Sequence, residues 1–322
     1  MTFLETVAAS RDHLSVGVVG VFIGLWIFLL TATGVGQVLR VTKPGKTITK
    51  VNQIIRAWWV IAGFFTAVMW LGPTAMVLFM GFVSYLALKE FYSLVPTRRA
   101  DRRALFWSYG AILVQYFAIS QDWFILFLLY IPLYHLLMGP MRLVVRGRTE
   151  HFVRSSSTIH WGLMLAVFNL SHVAYLMVLP MDGNPNGGGP GMVLYLIILT
   201  ELNDVAQFIW GKSFGKHKVA PSVSPNKTWE GLLGGLGTTS VLSMIIAPVL
   251  TPMTTLQAFG LGLSLSMLGF VGDVVMSAVK RDMQVKDSSS LIPGHGGVLD
   301  RVDSLSYTAP VAFYFFYFQF YA

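Results

Sequence analysis

The chain has 322 residues, of which 54% are hydrophobic and 12% are charged. A soluble protein of this length needs far more charge to cover its surface, and the apolar residues here occur in long blocks, as they do in bilayer spans. The absence of cysteine excludes disulfides, thiolate metal sites and cysteine nucleophiles. The composition therefore predicts an all-α, polytopic integral membrane protein.

Ten apolar segments predict about ten transmembrane helices. The first is too long for the apolar part of a cleavable signal peptide, so it is predicted to be a retained span. The junctions at Gly72-Pro73 and Gln121-Asp122 are so short that each predicts either a tight hairpin or one broken helix. The predicted spans lie near residues 14–39, 55–71, 73–91, 104–120, 122–139, 157–180, 189–210, 231–251, 256–279 and 305–321.

The basic residues alternate with these spans. Five alternate loops hold 22 of the 23 lysines and arginines, and the loops between them hold none. The positive-inside rule therefore places the basic loops in the cytoplasm and both termini outside. The net charge of +8 is explained by membrane topology and, in the later loops, by a site; no nucleic-acid partner is predicted.

The segment Ser277–Asp303 interleaves acidic and basic residues with glycines around one histidine. This mixture is what metal-assisted phosphoryl or nucleotidyl transfer requires, because such catalysis is largely positioning and charge neutralisation. Gly296 and Gly297 would let backbone amides approach an anion closely. The hard oxygen ligands of the type that magnesium prefers are Asp287, Asp300 and Asp303. The basic residues that complement phosphate oxygens are Lys280, Arg281, Lys286 and Arg301.

Polar residues inside two spans point to the same end of the protein. Asp273, Ser277 and Lys280 are spaced i, i+4, i+7 and so share one helix face. A carboxylate within a span is a functional candidate by default, although a neighbouring helix could also satisfy Asp273. Asn203 and Asp204 belong to a polar stripe in the seventh span, which could instead serve hydrogen bonding between helices.

The segment Ser224–Gly231 precedes the eighth span. Ser224 followed by Pro225 predicts an N-cap and first helical position, which would aim free amides at a phosphate. Capping alone also explains this pattern. The preceding Gly211-Lys212-Ser213 is not a Walker A loop, because the upstream glycine is missing at the required spacing.

The run Ser277–Asp303 resembles the signature of the phosphatidate cytidylyltransferase (CDP-diacylglycerol synthase) family. The matching positions are Ser277, Lys280-Arg281, Lys286-Asp287, Pro293, His295-Gly296-Gly297, Asp300-Arg301 and Asp303. Asn203-Asp204 and Ser224–Gly231 resemble two further elements of this family. The motifs divide the chain into an amino-terminal transmembrane region, residues 1–150, without an assignable motif, and a catalytic transmembrane region, residues 151–322.

The resemblance implies transfer of CMP from CTP to phosphatidate, giving CDP-diacylglycerol and pyrophosphate. It implies Mg²⁺, with a monovalent cation such as K⁺ beside it, a homodimer, and a polar cavity facing the cytoplasm from the bacterial inner membrane. The implied metal ligands are Asp204, Asp273, Asp287, Asp300 and Asp303. The implied catalytic residues are Asp273, Lys280, Arg281, His295, Asp300 and Arg301. The implied substrate-binding residues are Asn203, Asp204, Ser224, Lys227, Thr228, Glu230, Ser277, Lys286, Gly296 and Gly297. For His295, donation to the leaving pyrophosphate and a purely structural role both remain open.

Three alternatives differ in chemistry or class. The acceptor could be another lipid phosphate, or the enzyme could be a CTP-dependent kinase of polyprenol. A transporter would also carry intramembrane acids, but it predicts inverted repeats and polar residues near mid-bilayer, whereas the polar residues here lie toward one face. A CDP-alcohol phosphotransferase is excluded, because its Asp-Gly-x-x-Ala-Arg motif is missing after Asp182-Gly183.

Overall fold

The computed structural model describes residues 14–42, 45–95, 102–145, 151–289, 291 and 296–322. These residues form mainly helices, with one short hairpin before α10. The helices are α1 (Val16–Thr42), α2 (Lys46–Leu71), α3 (Pro73–Leu94), α4 (Arg102–Ser120), α5 (Phe124–Leu129), α6 (Leu136–Val144), α7 (Phe152–Leu163), α8 (Asn169–Val178), α9 (Gly188–Phe214), α10 (Trp229–Leu250), α11 (Thr255–Asp282) and α12 (Asp303–Phe320). Two π-helical turns, Tyr130–His135 and Met164–Phe168, join α5 to α6 and α7 to α8.

The predicted membrane architecture is confirmed. Within the described ranges, eight helical segments are long and apolar enough to cross a membrane, counting α5–α6 and α7–α8 as one segment each. The other two predicted spans coincide with helices α4, whose apolar part is Ala104–Ser120, and α12. The protein is therefore an all-α, polytopic integral membrane protein.

The two short junctions are tight hairpins. The rings of Phe64 on α2 and Phe79 on α3 lie with centroids 5.6 Å apart, so the two helices fold back on each other around Gly72. Gly72 has a φ of 95°, a conformation that glycine adopts without strain. Across the second junction, the Gln115 side-chain amide donates to the Phe127 carbonyl of α5 at 3.1 Å.

The core lies around α8, the first half of α9, and α12. Tyr175, Phe127 and Phe313 are among the largest fully buried side chains. The centroid of the Tyr175 ring lies 4.7 Å from that of the Phe127 ring and 5.0 Å from that of the Phe313 ring. Helix α1 instead exposes many large apolar side chains outward. This distribution is typical of a membrane bundle, in which the outer helices face lipid.

The segment before α10 forms a hairpin of β1 (Lys218–Ala220) and β2 (Ser224–Thr228), which pair antiparallel. The prediction that Ser224 caps a helix was therefore wrong. Proline has no backbone N–H to donate to a neighbouring strand, so it is tolerated in an edge strand. Pro225 therefore does not force a helix to begin there. Thr228 is the N-cap, and its hydroxyl oxygen accepts from the Gly231 amide at 3.1 Å.

Candidate active site

Three helices bring the predicted acidic residues together at one end of the bundle. Asp204 lies on α9, Asp273 on α11 and Asp303 at the start of α12. The start of α12 packs against α11 beside Asp273, since a Cβ atom on Gly272 would lie 2.6 Å from the Asp303 carbonyl oxygen. The Ser304 hydroxyl donates to Asp204 Oδ2 at 3.1 Å and so couples α12 to α9.

Lys227 reaches this acidic group from β2. Its Nζ lies 2.6 Å from Asp273 Oδ2, and it also lies 5.4 Å from the centre of the Phe270 ring. The Ser277 hydroxyl donates to Asp273 Oδ1 at 3.3 Å. The hairpin therefore places a cation directly against the intramembrane carboxylate of α11.

A second ion pair joins the end of α11 to the signature loop, which we define as residues 283–302 between α11 and α12. Lys280 Nζ lies 2.7 Å from Asp300 Oδ1, and both side chains are largely buried. The last turn of a helix is a favourable place for a lysine, because the carbonyl end of the helix dipole is negative. Asp273, Ser277 and Lys280 lie on one face of α11, as predicted from their spacing.

Asp300 is held by donors on both oxygens. Its Oδ2 accepts from the Ser288 amide at 2.7 Å, the Gly297 amide at 2.9 Å and the Ser288 hydroxyl at 2.9 Å. Burial raises the pKa of this carboxyl, but the hydrogen bonds from Lys280, Gly297 and Ser288 outweigh that effect and leave the pKa below its ordinary value. Asp300 therefore stays ionised at neutral pH.

At both described glycines of the signature loop, a side chain would clash with neighbouring atoms. Gly296 has a φ of 79°, and a Cβ atom there would lie 2.6 Å from Asp300 Oδ2. A Cβ atom on Gly297 would overlap the Ser288 hydroxyl and Glu90 Oε2. The glycine pair is thus needed for the loop to close around the two carboxylates.

The acidic residues fit a divalent metal in part. Asp204 Oδ1 is buried and has no hydrogen-bond partner among the residues that the structure describes, which is the condition expected of an oxygen that would bind a cation. Hard carboxylate oxygens on α9, α11 and α12 suit Mg²⁺. Among the described residues, no three acidic or histidine side chains already converge as a metal cage. Asp300 is engaged with Lys280, and Asp287 is exposed beside Gly296.

Asn203 lies deeper and links three helices. Its carbonyl oxygen accepts from Gln207 and Thr239 at 3.1 Å each, and from the Ser266 hydroxyl. Its amide donates to the Ser266 carbonyl at 3.3 Å. The side chain is fully buried, so this geometry favours the interhelical role that the sequence left open beside substrate binding.

The remaining predicted residues lie around the rim. Glu230 accepts hydrogen bonds from the Lys216 and His217 amides, and therefore braces the turn between α9 and β1. Arg281 donates to the Val223 carbonyl at 3.3 Å, which ties α11 to the hairpin. Lys286 and Arg301 are exposed. His295 lies outside the described residues.

One residue of this site, Glu90 on α3, was missed. Its carboxylate accepts from the hydroxyls of Ser288 and Ser289 and from the amides of Val298 and Leu299. An acid near the end of an apolar span was a sufficient signal, because such acids are functional candidates by default. The amino-terminal region therefore contributes to this site.

Comparisons with known proteins agree with this geometry. Residues 52–319 match the model of the Cytidylyltransferase family. The chain is 46% identical to the uncharacterized protein YnbB of Escherichia coli strain K12, over 90% of this chain and 95% of that protein. It is 31% identical to the phosphatidate cytidylyltransferase of Staphylococcus haemolyticus, over 77% of this chain and 92% of that protein. Identity to the enzyme of that name from Haemophilus influenzae is 43%, but over only 39% of this chain and 46% of that protein.

The fold and these matches define an integral membrane enzyme, a CTP-dependent nucleotidyltransferase. The chain belongs to the cytidylyltransferase family, and within it to the members that resemble CDP-diacylglycerol synthases.

Proposed function

We propose that this enzyme transfers CMP from CTP to phosphatidate and so makes CDP-diacylglycerol and pyrophosphate. The observation that carries the proposal is the meeting of Asp204, Asp273 and Asp303 with the two ion-paired lysines, Lys227 and Lys280, at one end of α9, α11 and α12. Phosphoryl chemistry needs anionic groups for a metal and cations for phosphate oxygens, and both are present here. The names of the relatives from Staphylococcus haemolyticus and Haemophilus influenzae support phosphatidate as the acceptor.

The reaction needs no nucleophilic side chain. A phosphatidate oxygen, already ionised at neutral pH, forms the new bond to the α-phosphorus of CTP, and the bond from that phosphorus to the bridging oxygen of pyrophosphate breaks. Lys227 and Lys280 exchange their present carboxylate partners for phosphate oxygens and neutralise the developing charge. Arg281, Lys286 and Arg301 attract the nucleotide from the aqueous side. Asp204, Asp273 and Asp303 would hold Mg²⁺ after their side chains reorient, and the metal would supply neutralisation of phosphate charge. A monovalent cation such as K⁺ stays a prediction from the family resemblance.

The proposed location is the bacterial inner membrane, with the site facing the cytoplasm. A site at the ends of α9, α11 and α12 suits a lipid phosphate that arrives from the inner leaflet, while CTP arrives from the cytoplasm. The homodimer implied by the family resemblance stays a prediction, which the mass of the purified protein in detergent checks.

The test follows radiolabelled CTP into chloroform-extractable product with purified protein, phosphatidate and Mg²⁺. We expect label in the lipid phase with the wild-type protein. The Asp300→Asn variant should transfer at least 100-fold less label, roughly the effect of removing one charged partner from a catalytic cluster. The Asp182→Asn variant should transfer label normally. Asp182 is an exposed acid of the turn before α9 and serves as the matched control. Label that appears only with another lipid phosphate or with polyprenol would contradict phosphatidate as the acceptor. No label with any of these lipids would refute the transferase proposal.

A further inference from the structure

Glu90 joins the amino-terminal region to the signature loop by four hydrogen bonds. Oε1 accepts from the Ser289 hydroxyl at 2.8 Å and from the Val298 amide at 3.0 Å. Oε2 accepts from the Ser288 hydroxyl at 2.9 Å and from the Leu299 amide at 2.8 Å. The residue is 7% exposed, so these donors replace water almost completely.

Only a carboxylate satisfies this arrangement. Each oxygen accepts from one backbone amide and one hydroxyl, so both oxygens must be acceptors. A glutamine would turn an NH₂ group toward a backbone N–H whichever way its amide were oriented, because glutamine has one acceptor oxygen only. The absence of a side chain at Gly297 leaves the space that Glu90 Oε2 and the Ser288 hydroxyl occupy.

The contact between Glu90 and Ser288 extends to the ion pair of Lys280 and Asp300. The Ser288 hydroxyl lies 2.9 Å from Glu90 Oε2 and also 2.9 Å from Asp300 Oδ2, so the two carboxylates share its single proton as acceptors. Asp300 in turn holds Lys280 at 2.7 Å. A hydrogen-bonded chain therefore runs from α3 through Ser288 and Asp300 to the lysine at the end of α11.

We propose that Glu90 is a positioning residue of the transferase reaction: it orders both ends of the signature loop and thereby sets the orientation of Asp300 and Lys280. The inference rests on the proposed function for its catalytic consequence. Glu90 acts through the loop, since its carboxylate is buried against loop donors and its four contacts leave no open oxygen toward the acids of α9 and α11.

The first test compares Glu90→Gln, Glu90→Asp and Glu90→Ala in the lipid-labelling assay. We expect kcat to fall about 10- to 100-fold in the glutamine variant, because hydrogen bonds to a charged group are lost. The alanine variant should lose activity to the same extent. The aspartate variant keeps two acceptors and should retain more activity than glutamine does. A residue that only fills space would show the opposite order, because glutamine matches its shape. The control is Ser84→Ala, which removes a buried hydroxyl of the same helix that bonds Tyr116 at 2.7 Å.

The second test measures hydrogen exchange of the peptide that carries Val298 and Leu299, without substrate. We expect faster exchange there in Glu90→Gln than in wild type, and no change in Ser84→Ala. Wild-type kcat in Glu90→Gln, or a fall in kcat without faster exchange, would overturn the proposal. If the wild-type protein transfers no label, the proposed function fails alone, and the exchange result still decides whether Glu90 orders the loop.

Discussion

At the scale of single residues, the site is a set of carboxylates that differ in their partners. Asp300 is saturated by Lys280 and by loop donors, whereas one buried oxygen of Asp204 finds no partner within the described part of the chain. Glu90 is saturated in the same way as Asp300. The saturated acids order the loop, whereas the open oxygen of Asp204 is where the proposed cation would bind.

The depressed pKa of Asp300 predicts how stability depends on pH. Because the pKa is below its ordinary value of 3.8 in the folded protein, the ionised carboxyl stabilises the fold above about pH 4, and this contribution is lost as the pH falls further. We expect Asp300→Asn to lower the free energy of unfolding by about 3 kcal/mol at neutral pH, as breaking a buried ion pair does. Thermal unfolding in detergent at several pH values checks this. A difference between the two proteins that does not shrink below about pH 4 would contradict it.

The crowding at Gly297 predicts a loss of activity in Gly297→Ala. The new Cβ would overlap the Ser288 hydroxyl and Glu90 Oε2, and the resulting displacement should cost about 1–3 kcal/mol and reduce transfer at least tenfold. Gly237→Ala on α10 is the matched control, since an added Cβ there meets nothing within 4 Å. Equal activity in the two variants would show that the loop closes differently.

At the scale of elements, the helices and their shared faces could be predicted from the sequence, but the contacts between separate segments could not. The apolar blocks predicted the helices, and the i, i+4, i+7 spacing predicted the shared face of Asp273, Ser277 and Lys280. The strand at Ser224 was missed because β1 and β2 stabilise each other only as a pair. The position of Glu90 in an apolar span marked it as a candidate, but its partners could not be predicted because they lie about two hundred residues away in the chain.

The polar centre around Asn203 predicts a stability effect. Asn203→Ala leaves the hydroxyls of Thr239 and Ser266 without this acceptor and removes one of the two acceptors of the Gln207 amide, so the free energy of unfolding should fall by about 1–3 kcal/mol. We expect the KM for CTP to stay near the wild-type value. Asn226→Ala, at an exposed position of β2, is the control for thermal unfolding. A raised KM with unchanged unfolding temperature would instead indicate a contact with the nucleotide.

At the scale of the whole molecule, the distribution of basic residues predicts the orientation, and the absence of cysteine makes it easy to test. Single cysteines in the Asp182→Cys and Ser222→Cys variants lie at exposed positions at opposite ends of α9. An impermeant maleimide should label the first variant in intact cells and the second only after the membrane is opened. The reverse pattern would place the candidate site outside the cytoplasm.

The contact between Glu90 and the end of the signature loop also bears on biosynthesis. Helix α3 enters the membrane early, while Val298 and Leu299 leave the ribosome 208 and 209 residues after Glu90. Until then the carboxylate has to remain hydrated near the end of its helix, because an unpaired acid is costly in lipid. The enzyme therefore gains its ordered loop only after Leu299 has been synthesised, and nascent chains that stop before Val298 should carry an exposed acid for quality-control proteases to recognise.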